Sequence, residues 1–343
     1  MSGAVAIASA PLRISLAGGG TDLPSFSERF GGTVVSLAID RRVAVAVAPR
    51  GCEELFDLLG GGTRLDHREL MAEPLAAAAI RRVASGEPQL ACVTAAPPRS
   101  GLGGSGAFLV ALVHALRASR PPAPSALAEE ASGIEMEDLG RSVGKQDHYI
   151  AALGGLQRLS FARDGRVGAE SIVPGERLAA YFDERLLLFD TGLCHDASEV
   201  LADQDRKTRR ADDLTLARLK AIHSLVEPML EAIRRERVEE IGPILNEHWW
   251  HKAQLGDAVV VPRIASLYAL ALASGADGGK LVGAGGGGFL LLSSRAGQQR
   301  RLRAAMASAG ARELRFGPAR EGSKLRWGHI LAPGAAVAQG PAS

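Results

Sequence analysis

Aromatic residues are scarce in this chain of 343 residues, with Phe, Trp and Tyr together making 4%. Its core must therefore be mostly Ala, Leu and Val, and a hydrophobic content of 46% is enough to build a substantial one. Cysteine is scarcer still. Cys52, Cys92 and Cys194 are odd in number and far apart. That excludes a disulfide framework or a zinc spacing and makes a reducing, cytoplasmic setting the expectation. Charge of one sign is also missing: 40 Lys and Arg against 38 Asp and Glu leave a net charge of +2. Neither nucleic acid nor an anionic membrane is expected as a partner. No apolar run reaches membrane-spanning length. The N-terminus lacks a basic segment leading into a long apolar one, so no signal peptide is expected. The length suits one large domain or two ordinary ones.

What the chain has instead is glycine in clusters. In Pro97-Pro98-Arg99-Ser100-Gly101-Leu102-Gly103-Gly104-Ser105-Gly106-Ala107, four glycines fall between 101 and 106. A run of strand character, 89–94, precedes it, and an apolar run, 107–116, broken only by His114, follows. The order strand, glycine loop, helix makes a phosphate cradle: glycines allow close backbone approach, and the first helical turn offers unpaired N–H groups. A tight turn between core elements is the plainer alternative. The loop fits G-x-G-x-x-G, yet no acidic residue ends a second strand about 20 residues on, and no Lys-Ser or Lys-Thr closes a Walker loop.

Gly18-Gly19-Gly20-Thr21-Asp22-Leu23-Pro24 places a carboxylate and a hydroxyl on a folded loop. A carboxylate there suits sugar hydroxyls; an Asx-type turn before Pro24 accounts for it equally. Glu129, Glu130, Glu135, Glu137 and Asp138 lie on or just beyond a helix running from about Ser125 into Met136, and most read as a solvated face. Asp147, in Gly144-Lys145-Gln146-Asp147, opens another helical turn, where an N-cap is the plain reading. A third cluster, Gly283-Ala284-Gly285-Gly286-Gly287-Gly288, runs into a strand rather than a helix, which argues against a dinucleotide site.

The three clusters, in this order, resemble the three motifs of the GHMP kinases, the family of galactokinase, homoserine, mevalonate and phosphomevalonate kinases. Ala10-Pro11-Leu12-Arg13 through Asp22 resembles the first motif of its sugar branch, and Gly-Gly-Gly-Thr-Asp-Leu-Pro is closest to the bacterial heptose 7-phosphate kinases. The resemblance implies a two-domain α+β fold with a left-handed βαβ crossover in the N-terminal domain (1–180), a ferredoxin-like α/β sandwich in the C-terminal domain (181–333) and a tail (334–343). It implies ATP bound by Pro98, Ser100, Gly101, Leu102, Gly103, Gly104, Ser105 and Gly106. Gly104 stands where the family carries a serine and Gly106 where it carries an alanine; Ser105 keeps the serine that reaches Mg²⁺. Glu135 matches the second magnesium ligand and Asp147 the base or hydroxyl-orienting group. Arg13 lies near the reacting hydroxyl. The sugar side is implied to include Gly19, Gly20, Thr21, Asp22, Gly285 and Gly286. Lys252, in a Trp-x-x-Lys pattern, faces an anion or simply the surface.

Elsewhere, strands are expected at 5–8, 12–17, 33–37, 43–48, 186–191 and 324–327, and helices at 74–83, 214–235, 238–255 and 298–307. Arg41 and Arg42 read as solvated turn charges, His67 as a surface and His114 as a core histidine. His248 and His251 lack a third metal ligand. The function implied is phosphorylation of D-glycero-D-manno-heptose 7-phosphate at its anomeric hydroxyl. The arginine expected near His195 for the substrate phosphate is absent. Two alternatives stand: a kinase of fucose or a hexose phosphate, and a sensor binding sugar and ATP without turnover. Retention of Ser105, Glu135 and Asp147 argues against the sensor. A homodimer is among the assemblies the resemblance allows.

Overall fold

The computed structural model describes residues 4–48, 63–65, 67–84, 88–94, 100–193, 197–256, 259 and 261–329. Cys52, Gly60 to Gly62, Pro98, Cys194, His195 and the tail lie outside the described residues.

Two long strands form the spine. β1 (Ala4–Ala17) and β2 (Gly32–Ala48) pair antiparallel along nearly their whole length, with α1 (Pro24–Phe30) between them in sequence. The sequence suggests four short strands here, because Pro11 and the Asp40-Arg41 pair break the apolar pattern. The structure runs through both. Pro11 sits at a register shift, where a bulge tolerates a residue without an N–H. Arg42 is not a free turn charge: its Nη2 donates to the carbonyls of Ser9, at 2.8 Å, and Gly322, at 2.6 Å.

The chain continues through β3 (Thr63–Leu65), α2 (His67–Ala72), α3 (Pro74–Val83) and β4 (Gln89–Thr94) to α4 (Gly104–Leu116). Then come α5 (Pro124–Gly133), a π-helical turn (Ile134–Asp138), α6 (Gln146–Leu153), β5 (Leu156–Phe161), β6 (Val167–Ile172) and α7 (Glu176–Glu184). The second half holds β7 (Leu186–Asp190), α8 (Ala197–Arg209), α9 (Asp213–Ser224), α10 (Val226–Arg234), α11 (Val238–Lys252) and α12 (Pro262–Ala273). It ends with β8 (Ala276–Leu281), β9 (Phe289–Ser294), α13 (Gln299–Ser308), β10 (Arg312–Glu313) and β11 (Lys324–His329). Proline at the first helical position starts α1, α3, α5 and α12, where its missing N–H leaves no gap.

Seven strands form one sheet, in the order β11-β1-β2-β4-β3, with β5 on the other half of β2 and β6 beyond it. Four form the second, in the order β10-β7-β9-β8. Every pair of strands among the described residues is antiparallel. β11, grouped with the second domain by its place in the sequence, pairs with β1 in the first sheet. One apolar cluster also joins the halves: Leu12, Ile14, Leu109 and Leu112 share it with Met229, Ile241 and Phe289. α4 is buried along most of its length and packs on β1 and β2, which fixes its first turn beside Arg13. The single helix expected over 214–235 is two, broken at Leu225. His114 is half-buried at the sheet edge, its Nδ1 2.8 Å from Ser323 Oγ.

Candidate active site

α4 begins at Gly104 with Gly103 in the left-handed region (φ 76°) and no side chain capping it. The first N–H groups of the helix are thus left for a ligand, and the dipole favours an anion there. The Ser105 hydroxyl, on this first turn, makes no hydrogen bond among the described residues. No atom lies within 4 Å of a Cβ built on Gly104, so packing does not forbid the family's serine.

The third cluster lies against the second. A Cβ on Gly101 would come within 2.6 Å of the Val282 carbonyl and 3.2 Å of Gly283 Cα. Backbone therefore touches backbone where the two loops meet, which only glycine allows. Gly286 N–H donates to Val259 O at 3.0 Å, so Gly285 and Gly286 are fixed against the turn after α11.

Arg13 on β1 reaches the same point. Its Nε and Nη2 donate to the two oxygens of Asp147 at 2.7 and 2.9 Å, and Nη1 donates to the carbonyl of Gly101. This bidentate pair fixes the plane of the carboxylate. Asp147 lies in the first turn of α6 but Lys145 is the capping position, so its side chain is not spent on an N-cap. Asp22 also turns away from a local Asx turn. Its carboxylate accepts from Gln146 N at 3.3 Å and Gln146 Nε2 at 3.4 Å. Burial and the nearby negative charge of Asp147 push the Asp22 carboxyl up to about 6. Thr21 is placed differently from the sequence expectation. It is fully buried, and its hydroxyl donates to Gly18 O at 2.8 Å and accepts from Thr33 N at 3.2 Å. It therefore shapes the loop rather than offering a hydroxyl to a sugar.

Glu135 is buried on the π-helical turn, a distortion that periodic sequence patterns do not reveal. Its oxygens lie 3.1 Å from Arg141 Nη1 and 3.1 Å from His148 Nε2. Burial alone would raise its pKa, but these two partners outweigh it and hold it below the usual range, so it is charged at neutral pH. A charged carboxylate and an unpaired hydroxyl are hard oxygen donors suited to Mg²⁺. That ion typically takes one or two carboxylates and completes its shell with water and phosphate oxygens. Among the described residues no three acidic, His or Cys side chains gather to hold a metal by themselves. His148, which follows Asp147 and lies against Glu135, carries no signal in the sequence beyond its adjacency to Asp147.

Lys252 is not a surface lysine. It is buried at the end of α11, and its Nζ donates to the carbonyls of Leu281, at 3.3 Å, and Gly283. Burial, with Arg13 adding repulsion, lowers its pKa to about 7. Two further buried polar groups lie beside it. Lys280 on β8 lies 3.3 Å from His248 Nε2 on α11, and the Nδ1 of that histidine has no partner. His251 points elsewhere, toward Arg218. The structure thus brings together Arg13, Asp22, Asp147, Lys252, the loop of 101–106 and the turn at 283–286.

The chain is similar to known proteins in both sequence and fold. Residues 70–155 match the GHMP kinases N terminal domain and residues 229–312 the GHMP kinases C terminal domain. The chain is 27% identical over 292 residues to the D-glycero-alpha-D-manno-heptose 7-phosphate kinase of Campylobacter jejuni, covering 80% of this chain and 85% of that one. Its fold is similar to a D-glycero-D-manno-heptose 1-phosphate kinase from Bacteriodes thetaiotaomicron (TM-score 0.70, 20% identity, 95% of this chain and 100% of that one). It is also similar to Lactococcus lactis galactokinase complexed with galactose (TM-score 0.68, 15% identity, 93% and 95%). Members of this family use ATP, generally with Mg²⁺. With both family domains in order on one two-domain fold, the chain belongs to the GHMP kinases.

Proposed function

We propose that this ATP-dependent sugar kinase transfers the γ-phosphoryl group of ATP to the anomeric hydroxyl of D-glycero-D-manno-heptose 7-phosphate. The product would be the 1,7-bisphosphate used for nucleotide-heptose synthesis in the cytoplasm. The observation that carries the reading is the Arg13–Asp147 pair, set beside the contact between two glycine loops and next to a buried Asp22. The similarity to the Campylobacter enzyme and the Gly-Gly-Gly-Thr-Asp-Leu-Pro loop support the heptose.

In this reading the free N–H groups at the start of α4, with Ser100, Gly101, Leu102, Gly103, Gly104 and Gly106, hold the phosphates. Asp147 accepts a hydrogen bond from the attacking hydroxyl, and Arg13 keeps that carboxylate in plane. Asp22 accepts from sugar hydroxyls on a loop that Gly19, Gly20 and Thr21 shape, with Gly285 and Gly286 facing it across the site. Ser105 and Glu135 would hold Mg²⁺, with Arg141 and His148 orienting Glu135. Mg²⁺, when bound, offsets negative charge on the ATP oxygens during transfer.

One observation favours a second reading, a kinase of an unphosphorylated sugar. A cavity of about 150 Å³ lies beside Gln204 and Val259, which touch Gly20 and Gly285. Among the described residues its lining includes Glu199 and an Asp203 paired with Arg206 and Lys207, and no Lys or Arg lines it directly, a poor seat for a sugar phosphate. A panel of sugars and sugar phosphates with ATP, read by ADP release and product NMR, separates the readings. Heptose 7-phosphate should turn over fastest and gain an anomeric phosphate. Turnover of fucose or another neutral sugar alone would support the second reading. Binding of sugar and ATP with no ADP released would make the protein a sensor.

A further inference from the structure

The buried cations beside the glycine loops lack an anion. Lys252 and Lys280 are each less than a tenth exposed, and neither forms an ion pair with a carboxylate among the described residues. An ammonium group has three hydrogens. Two on Lys252 go to the carbonyls of Leu281 and Gly283, and the third has no protein acceptor among the described residues. Gly283 is the residue that touches Gly101, and Gly101 O is the acceptor of Arg13 Nη1. The unpaired cation therefore sits one backbone contact away from the loop proposed to hold the phosphates.

The charged and titratable groups facing Lys252 are few. Arg13 approaches from β1, and its own carboxylate partner, Asp147 of α6, is engaged through both oxygens. Lys280 comes from β8, with His248 and, farther along, His251 from α11. Burial first, then the positive charges of Lys252 and Arg13, hold Lys280 well below its ordinary value; burial and the two lysines do the same to His248, and the Lys280 and His248 nitrogens lie 3.3 Å apart. A buried cation without a partner is costly, and burial makes a lysine give up its proton instead.

We propose that Lys252 is the counter-charge for the phosphoryl group passed from ATP to the sugar, acting where the second and third glycine clusters meet, with the Lys280–His248 contact behind it. This rests on the kinase reading above. Arrival of the terminal phosphate supplies the missing anion, and Lys252 takes one proton from solvent. The empty site is thereby spared a buried charge, while the loaded site has one placed to offset the transferring group.

The test is calorimetry of the full chain with Mg-AMP-PNP and with Mg-ADP, each in two buffers of different ionisation enthalpy and corrected for the free nucleotide's own protonation. With a pKa of about 7 in the empty protein, Lys252 is roughly one-tenth charged at pH 8. AMP-PNP should therefore draw in about 0.9 proton at pH 8 and about 0.1 at pH 6. ADP, which lacks the terminal phosphate, should draw in almost none. Lys252→Met should erase the AMP-PNP uptake and weaken that nucleotide about tenfold or more, with ADP affinity little changed. The wild-type comparison of the two nucleotides stands even if the variant does not fold. If AMP-PNP binds with the same proton balance as ADP at pH 8, Lys252 is only a clasp for the Gly283 loop and the inference is wrong. If neither nucleotide binds, the kinase reading itself fails, and this inference with it.

Discussion

Asp22→Asn should stabilise the unliganded protein while damaging its function. The Asp22 carboxyl is buried, and its pKa is raised from 3.8 to about 6 by that burial and by Asp147. Its folded-state pKa lies above the unfolded one. Stability is therefore fully present below about pH 3.8 and is lost as pH rises through about 6. A rise of about two units costs about 3 kcal/mol once the group must ionise in place. Asparagine does not ionise and still accepts a hydrogen bond from Gln146. The variant's advantage should therefore be about 3 kcal/mol at pH 8 and about half that at pH 5. For a chain this long, 3 kcal/mol corresponds to roughly 4 °C in Tm. Urea melts of both proteins at several pH values measure it. The sugar KM should rise steeply while the ATP KM stays near wild type, as expected where a strained group is kept for binding. A stability difference that is flat across pH 5 to 8 would refute the reasoning, since a carboxylate in no difficulty has nothing to gain from neutralisation.

Three other substitutions test the rest of the site. Gly106→Ala places a Cβ within 2.7 Å of Asp147 Cβ. It should shift the Asp147 carboxylate and lower kcat about tenfold or more, by analogy with other small misplacements of reacting groups; steady-state kinetics reads this directly. A side chain at Gly144 would overlap the Asp22 carboxylate. Gly144→Ala should accordingly raise the sugar KM and leave nucleotide affinity, measured by calorimetry, near wild type. Glu135→Gln removes the charge that Arg141 and His148 orient. The Mg²⁺ concentration for half-maximal activity should increase about 10-fold to 100-fold, and an unchanged magnesium titration would remove Glu135 from the metal site.

How much of this was legible in the sequence differs by element. The glycine loop ahead of α4 was, because strand, glycines and apolar run follow one another within a short stretch. The helix at 74–83 was too, because Pro74 marks its start. The sequence pattern divides β1 and β2 into two strands each, because Pro11 and Asp40-Arg41 interrupt the alternation, while long-range pairing carries the backbone through. The π-helical turn under Glu135 was invisible, since a helical period does not distinguish it from a continuing α-helix. The pairing of Arg13 with Asp147 spans 134 positions. No local pattern could reveal it; only the resemblance of each motif to a family hinted that they meet. Thr21 looked available because a hydroxyl beside an aspartate suits a sugar, and the fold spent it on Gly18 and Thr33 instead. Lys252, Lys280 and His248 have ordinary polar sequence signatures, and their burial comes from α11 packing on β8.

The central claim is that Asp147, held by Arg13, aligns the sugar hydroxyl with the phosphoryl group. Asp147→Asn keeps the side chain's shape and removes its charge and basicity. A positioned base of this kind is worth on the order of 10²–10⁴ in rate. The kcat of Asp147→Asn with ATP and heptose 7-phosphate should fall by about that factor, while calorimetry finds ATP and sugar bound near wild-type strength. A variant that turns over at the wild-type rate would contradict the account, whatever its melting temperature.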